Sequence, residues 1–211
     1  EGLNQLGLEI EDRTTPWAGA CGVFHPMLSE AVVRFQSQTI QEIMPAKGPV
    51  KTQIWGRATR ERQDQAKRVQ EYMNYQLIEV MTEYRSETEK LLFSLPLAGS
   101  AFRKIYFDPA MGRPTSMFVP AEDFVVSYNE ADLEQAERYT HVMARSTNQV
   151  RKLQVSGFYR DVELTTSFIE ENAITEKFNE IGGVSPSFEK NERHQLLEMH
   201  VDIDLPGFED S

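Results

Sequence analysis

The sequence has a single cysteine, no apolar run of about 18 residues or more, and a shortage of positive charge. Cys21 cannot close a disulfide within the chain, so the fold does not rely on an oxidising compartment. Without a long apolar run there is no transmembrane helix, and no basic stretch followed by an apolar one marks a signal peptide. Neither a Gly-x-x-x-x-Gly-Lys-Ser/Thr loop nor a Gly-x-Gly-x-x-Gly fingerprint occurs, which removes support for a P-loop ATPase or a dinucleotide fold. Lys and Arg number 22 against 33 Asp and Glu, for a net charge of -11. A domain that reads DNA sequence normally shows a basic face, so that class is disfavoured. A protein that DNA slides past without sticking is not.

What is present is an ordinary globular composition over 211 residues, 40% hydrophobic and 26% charged. A chain of this length buries about 70% of the surface its unfolded form exposes, so its core needs no metal or disulfide. It begins at Glu1 and not at Met, and it stops inside an acidic, loop-like stretch at 204–211. Both ends read as cut, and the sequence as an excerpt of a longer polypeptide.

Residues 1–25 lack a clear period and read as an arm or loop. Pro26 suits the first position of a helix, because its missing N–H would be unpaired there. Leu28, Ala31, Val32, Phe35, Thr39, Ile40 and Ile43 then follow the spacing of a one-faced helix over 27–43, which Pro45, Gly48 and Pro49 end. Residues 50–55 alternate weakly, as a short strand would. Thr59 is the expected N-cap of the longest periodic segment, a helix over about 59–95 with its stripe on Ala66, Val69, Met73, Leu77, Val80 and Met81. The stripe slips in phase near Tyr84, so this is one bent helix or two meeting near Ser86. Pro96 and Gly99 stop it.

From residue 101 the texture changes to strands. Those expected are 101–107, 116–119, 124–128 and 139–144, with turns at Asp108-Pro109 and Gly112-Arg-Pro114 and a short helical turn over 131–138. Ser146 to Gln149 is a capping box that opens a helix ending at Gly157. Another helical turn spans 174–181, before Gly182 and Gly183. Leu197, Met199, Val201 and Ile203 alternate with Glu198, His200, Asp202 and Asp204, the pattern of a half-buried strand. The class is α+β, with a mainly helical portion over 1–100 and a strand-rich portion over 101–211.

Charge is unevenly spread. Residues 57–68 carry five bases, Arg57, Arg60, Arg62, Lys67 and Arg68, against Glu61 and Asp64. They form a candidate phosphate-facing or subunit-facing patch, or else a solvated helix start with pairs such as Asp64–Arg68. Residues 162–211 hold twelve acids and three bases. A search for chemistry gives little. His194 and His200 with Asp202 and Asp204 are the nearest approach to a metal cluster. Successive side chains on one strand face lie about 6.5–7 Å apart, too far for one ion without convergence. Cys21 sits among small residues with His25 as its only local base, and no motif fixes that pair. No cofactor is implied.

The segment 91–109, in which a helix ends in a small-residue turn and leads into an aromatic strand closing on Asp108-Pro109, resembles the portal proteins of tailed bacteriophages. Residues 118–128, 136–141 and 146–150 are similar to the segments that follow in that family. Residues 31–36, 44–52, 157–162 and 202–210 resemble its short-tailed-phage branch. The likeness runs along nearly the full chain and rests on order and spacing, since no single motif is diagnostic.

The resemblance implies the N-terminal part of the portal wing, in a non-enzymatic structural subunit of a twelve-fold ring at one capsid vertex. Such a ring is assembled in the bacterial cytoplasm with capsid and scaffolding proteins. A terminase large subunit drives double-stranded DNA through its channel, and tail adaptor proteins later attach. An acidic conduit suits moving DNA, because a channel lined with Lys and Arg would hold phosphates through counterion release. The basic patch and the acidic half could supply the two unlike faces that a closed ring needs. Rival readings are the catalytic domain of a larger enzyme, using Cys21 or the His194/His200 cluster, and an adaptor that binds through the long charged helix without forming a ring.

Overall fold

The computed structural model describes residues 2–6, 17–20, 22, 25–109, 111–128, 130–164, 173–183, 193–202 and 206–207. Helix makes up 46% and sheet 21%, with the helices mostly N-terminal and the strands in the C-terminal half. The class is therefore α+β. The chain divides into two compact units, Glu1–Pro120 and Ala121–Ser211. The first extends past the change of texture near residue 100 and takes in the first hairpin.

In the first unit, α1 (Gly2–Leu6) precedes α2 (Met27–Ile43), whose bounds are those its apolar period predicts. Val32 of α2 is 1% exposed and packs in the region where α2 meets α4 (Tyr84–Ala98), which buries Leu92. Full burial of each such aliphatic side chain contributes about 1.5–3 kcal/mol. The Gln36 amide reaches across and donates to the Glu89 carbonyl at 2.9 Å.

The long helix is two helices. α3 (Arg60–Tyr75) starts where Thr59 accepts from the Arg62 N–H, as the cap reading requires. It runs into a π-helical turn, Gln76–Val80, in which the Met81 N–H bonds the Gln76 carbonyl five residues back at 2.9 Å. The extra residue in that turn shifts the side-chain phase, which accounts for the slip seen in the sequence. The chain turns at 81–83, slightly before the Ser86 position, and α4 begins. Pro96 does not stop α4. It lies inside the helix, which ends two residues later at Ala98, with Gly99, φ 78°, as its cap. Lacking an N–H, the proline cannot bond the carbonyl four residues back, a cost that the helix carries close to its end.

Residues 50–55 do not form the expected short strand, since among the described residues no strand pairs with them. They lie along α3, whose side-chain amides take the place of a neighbouring strand. Asn74 Oδ1 accepts from the Val50 N–H at 2.9 Å, and its Nδ2 donates to the Val50 carbonyl at 3.2 Å. Thr52 donates its hydroxyl to the Ala66 carbonyl at 3.1 Å and its N–H to Gln70 Oε1 at 3.5 Å. Residues i and i+4 of a helix are spaced by about 6 Å along the axis, close to the rise of two extended residues. Gln70 and Asn74 can therefore serve Thr52 and Val50 in turn. Gly48, φ 93°, makes the approach possible, since a Cβ there would collide with the Asn74 side chain.

β1 (Phe102–Asp108) and β2 (Arg113–Val119) form an antiparallel hairpin, with Phe102 opposite Val119 and Asp108 opposite Arg113. In the second unit, the 3₁₀ turn Ala121–Asp123 leads into β3 (Phe124–Val126), β4 (Arg138–Ser146) and β5 (Arg193–Val201). These make a three-stranded antiparallel sheet in the order β3-β4-β5. The segment 131–137 is a series of turns and not the expected helical turn. The Ser146–Gln149 capping box is present and starts α5 (Thr147–Val155), with Gly157 beyond its end at φ 76°. α5 packs on β4 and β5 and buries Val150. α6 (Ala173–Ile181) ends at Gly182 and Gly183. No described helix is long and apolar enough to cross a membrane.

One strand has its faces reversed from the expectation. The covered face of β5 carries His194, Leu196, Glu198 and His200, with His194 6% exposed. Leu197 and Met199 lie on the other face, 60% and 51% exposed. Alternation in the sequence is real, but the helix launched from the end of β4 decides which face is covered, and it covers the His face.

Candidate functional site

The five bases expected at 57–68 are all exposed along the start of α3. Arg60 and Arg62 occupy its first and third positions, where the helix dipole is already positive and cations do not stabilise it. Arg62 Nη1 folds back to the Arg57 carbonyl at 3.4 Å, and Lys67 pairs with Glu71 at 3.8 Å. The expected Asp64–Arg68 ion pair is not made among the described residues. Glu61, Asp64 and Glu71 instead line a shallow groove together with Lys67 and Arg68, so the basic run is interleaved with acids on its solvent side.

Among the described residues, those of the enzyme reading are not brought together. His194 is buried opposite Arg145, and His200 lies six residues further along β5, about 20 Å at the strand rise. His200 stacks on Tyr139 with centroids 4.8 Å apart and approaches Glu198 at 3.2 Å. Asp202 donates its N–H to the Glu137 carbonyl. Cys21 and Asp204 lie outside the described residues, and His25 is exposed just before α2. Among the described residues, no group of three His, Cys, Asp or Glu side chains is placed to hold a metal ion.

The best-defined polar constellation joins α4 to the hairpin, and the sequence reading passed over it. Both Glu83 Oε atoms accept from Arg113 Nη1, at 2.8 and 2.9 Å, and Glu83 Oε1 also accepts from the Ser116 N–H at 3.3 Å. One helical turn on, Glu87 Oε2 accepts from the Phe118 N–H at 2.7 Å while Oε1 holds Lys90 at 2.6 Å. Glu83 and Glu87 are thus matched to Ser116 and Phe118 by the same geometry that matches Asn74 and Gln70 to Val50 and Thr52. Pro114, the preceding alternate residue, has no N–H to satisfy. The free edge of β2 is closed by helix side chains and a proline.

Burial alone would raise the Glu83 carboxyl. Its hydrogen bonds, from backbone and from Arg113, and the Arg113 charge outweigh that and hold it below the ordinary glutamate value. Behind it, Arg103 Nη2 donates to Thr88 Oγ1 at 2.7 Å, with its guanidinium 4.8 Å over the Tyr84 ring. In the second unit, Asp123 is pushed above its ordinary value by burial and by the neighbouring Glu122 charge. In the sequence the α4 cluster shows only as the acidic i, i+4 spacing of Glu83 and Glu87.

Apolar side chains also remain exposed. On α3, Val69, Tyr72 and Met73 face solvent because its contact side is the row Ala66, Gln70 and Asn74. Ile105 and Phe107 of β1 are likewise exposed. The chain thus has ion-paired, backbone-satisfying carboxylates and bare apolar surfaces, without a convergent nucleophile, base or metal set among the described residues. No protein-family model matches the chain, and no curated protein matches it significantly.

Proposed function

We propose that the chain is a structural subunit of the portal ring of a tailed bacteriophage, from the N-terminal part of the wing. The ring sits at one capsid vertex of the virion, built with capsid and scaffolding proteins. It passes double-stranded DNA non-specifically under the drive of the terminase large subunit, and it later carries the tail adaptor proteins. The supporting observation is that the segments resembling portal proteins fall on successive elements in chain order. Residues 91–109 are the end of α4, its Gly99 stop and β1. Residues 118–128 are the end of β2, the 3₁₀ turn and β3. Residues 146–150 are the capped start of α5.

The exposed apolar residues of α3 and β1 favour a subunit with neighbours over a self-contained enzyme, since contiguous bare apolar surface commonly marks association. Negative-stain electron micrographs of the full-length protein test this reading. Rings with a central hole support it. A field of isolated single subunits refutes it and favours the adaptor reading.

A further inference from the structure

We propose that the free edge of β5 is a strand-addition site for an extended polypeptide segment of a partner, apolar at alternate positions and acidic at its ends. This inference does not rest on the portal reading.

The register fixes which backbone groups are open. Asp202 donates its N–H to the Glu137 carbonyl at 3.1 Å, continuing the β4–β5 register in which Arg138 faces Val201 and Ser146 faces Arg193. In an antiparallel ladder, residues that bond across the pair alternate with residues that point away. The even-numbered residues of β5 therefore bond β4, and Arg193, Gln195, Leu197, Met199 and Val201 turn their N–H and C=O groups outward. β5 ends the sheet order, and among the described residues no strand lies beyond it. The side chains of those same five residues stand on the uncovered face of the sheet.

Among the other described strands, β2 is closed by Glu83, Glu87 and Pro114, β1 is seven residues long, and β3 is three. β5 is nine residues long and contains no proline, glycine or lysine. A long edge of this kind is a template for pairing, and only another extended backbone can satisfy it.

Charge selects the occupant. The uncovered face is formed by Val125, Thr140, Val142, Leu197, Met199 and Val201, and its charged residues are Arg193 and Arg138, at opposite ends of β5 in register. A segment lying beside β5 meets apolar side chains along its length and a cation near each end. A second copy of β5, paired antiparallel about Leu197, would place its Arg193 beside Val201. It would then stand only two strands, roughly 10 Å, from Arg138, which is unfavourable.

The test uses the whole chain and a labelled peptide, Asp-Thr-Val-Thr-Val-Thr-Val-Thr-Asp, whose Val and Asp side chains share one face, followed by fluorescence anisotropy and amide hydrogen exchange. Binding should slow exchange at Leu197 and Met199 at least about tenfold. Leu197→Pro removes an outward N–H and takes no bond from the β4 ladder, so it should leave the fold intact and weaken binding at least about tenfold. Should that variant fail to fold, two peptides N-methylated on alternate amides give the answer with the unchanged chain. One should bind at least about tenfold more weakly, and the other should be little affected, because only one set faces β5. A Lys-ended peptide should bind at least about fivefold more weakly at low ionic strength. No binding, equal effects of the two methylated peptides, or indifference to the end charges overturns the proposal. So does sedimentation showing that the chain dimerises through β5 and that Leu197→Pro abolishes the dimer.

Discussion

Replacing Glu83 by alanine should unfold the first unit at a markedly lower temperature. Glu83 accepts from Arg113 through both oxygens and from the Ser116 N–H, and Ser116 is 1% exposed. An orphaned buried donor costs about 1–3 kcal/mol. The ion pair, about four-fifths buried on each side, lies between an exposed pair worth at most about 1 kcal/mol and a fully buried one whose breakage costs about 3–5. Together these give a loss of about 3 kcal/mol, or about 10–15 °C in Tm for a unit of this size.

Glu83→Gln keeps an acceptor for Ser116 and loses only the charge, so it should cost about 1 kcal/mol. The pH dependence has a definite sign. The carboxyl is held below its ordinary value, so its contribution is present above the unfolded pKa and is lost as pH falls through the lower folded one. The gap between wild type and Glu83→Gln should therefore close in acid. Thermal melts followed by far-ultraviolet circular dichroism, which the helices of the first unit dominate, measure both effects. A Glu83→Ala variant melting within about 2 °C of wild type at neutral pH would show that the clamp is ornamental.

Gly48→Ala should destabilise the same unit by more than about 1 kcal/mol, because it strains a φ of 93° and drives a Cβ into Asn74; a denaturant melt at wild-type stability would contradict it. Ser146→Ala should cost about 1 kcal/mol through loss of the α5 cap, with the change confined to amide exchange in the second unit. Reversing the charge of Arg60, Arg62 and Arg68 in the full-length protein should impair ring assembly, as measured by gel filtration, and unchanged rings would remove the basic patch from the interface.

Local rules carried the sequence reading where the chain's own backbone decides the outcome. α2 has its predicted bounds, and both Thr59 and Ser146 cap the helices they were expected to cap. The α+β class followed from the same periods. Where tertiary partners decide, the sequence was silent or misleading. The alternation at 50–55 is that of extended chain, but its partners are the side chains of Gln70 and Asn74, which no strand rule anticipates. The period of β5 was legible and its orientation was not, because α5 covers the face that holds His194. The α3 stripe is legible in the sequence, but that Val69 and Met73 are left exposed was not, since the side chains of Gln70 and Asn74 make that helix's contacts. Glu83 and Glu87 were invisible as a clamp because their targets, Ser116 and Phe118, lie about thirty residues away in the chain.

Native mass spectrometry of the full-length protein tests the proposed function most directly. The portal reading predicts one closed oligomer of defined size, twelve subunits by the family resemblance, that survives dilution. A mass corresponding to a single subunit at all concentrations would contradict it.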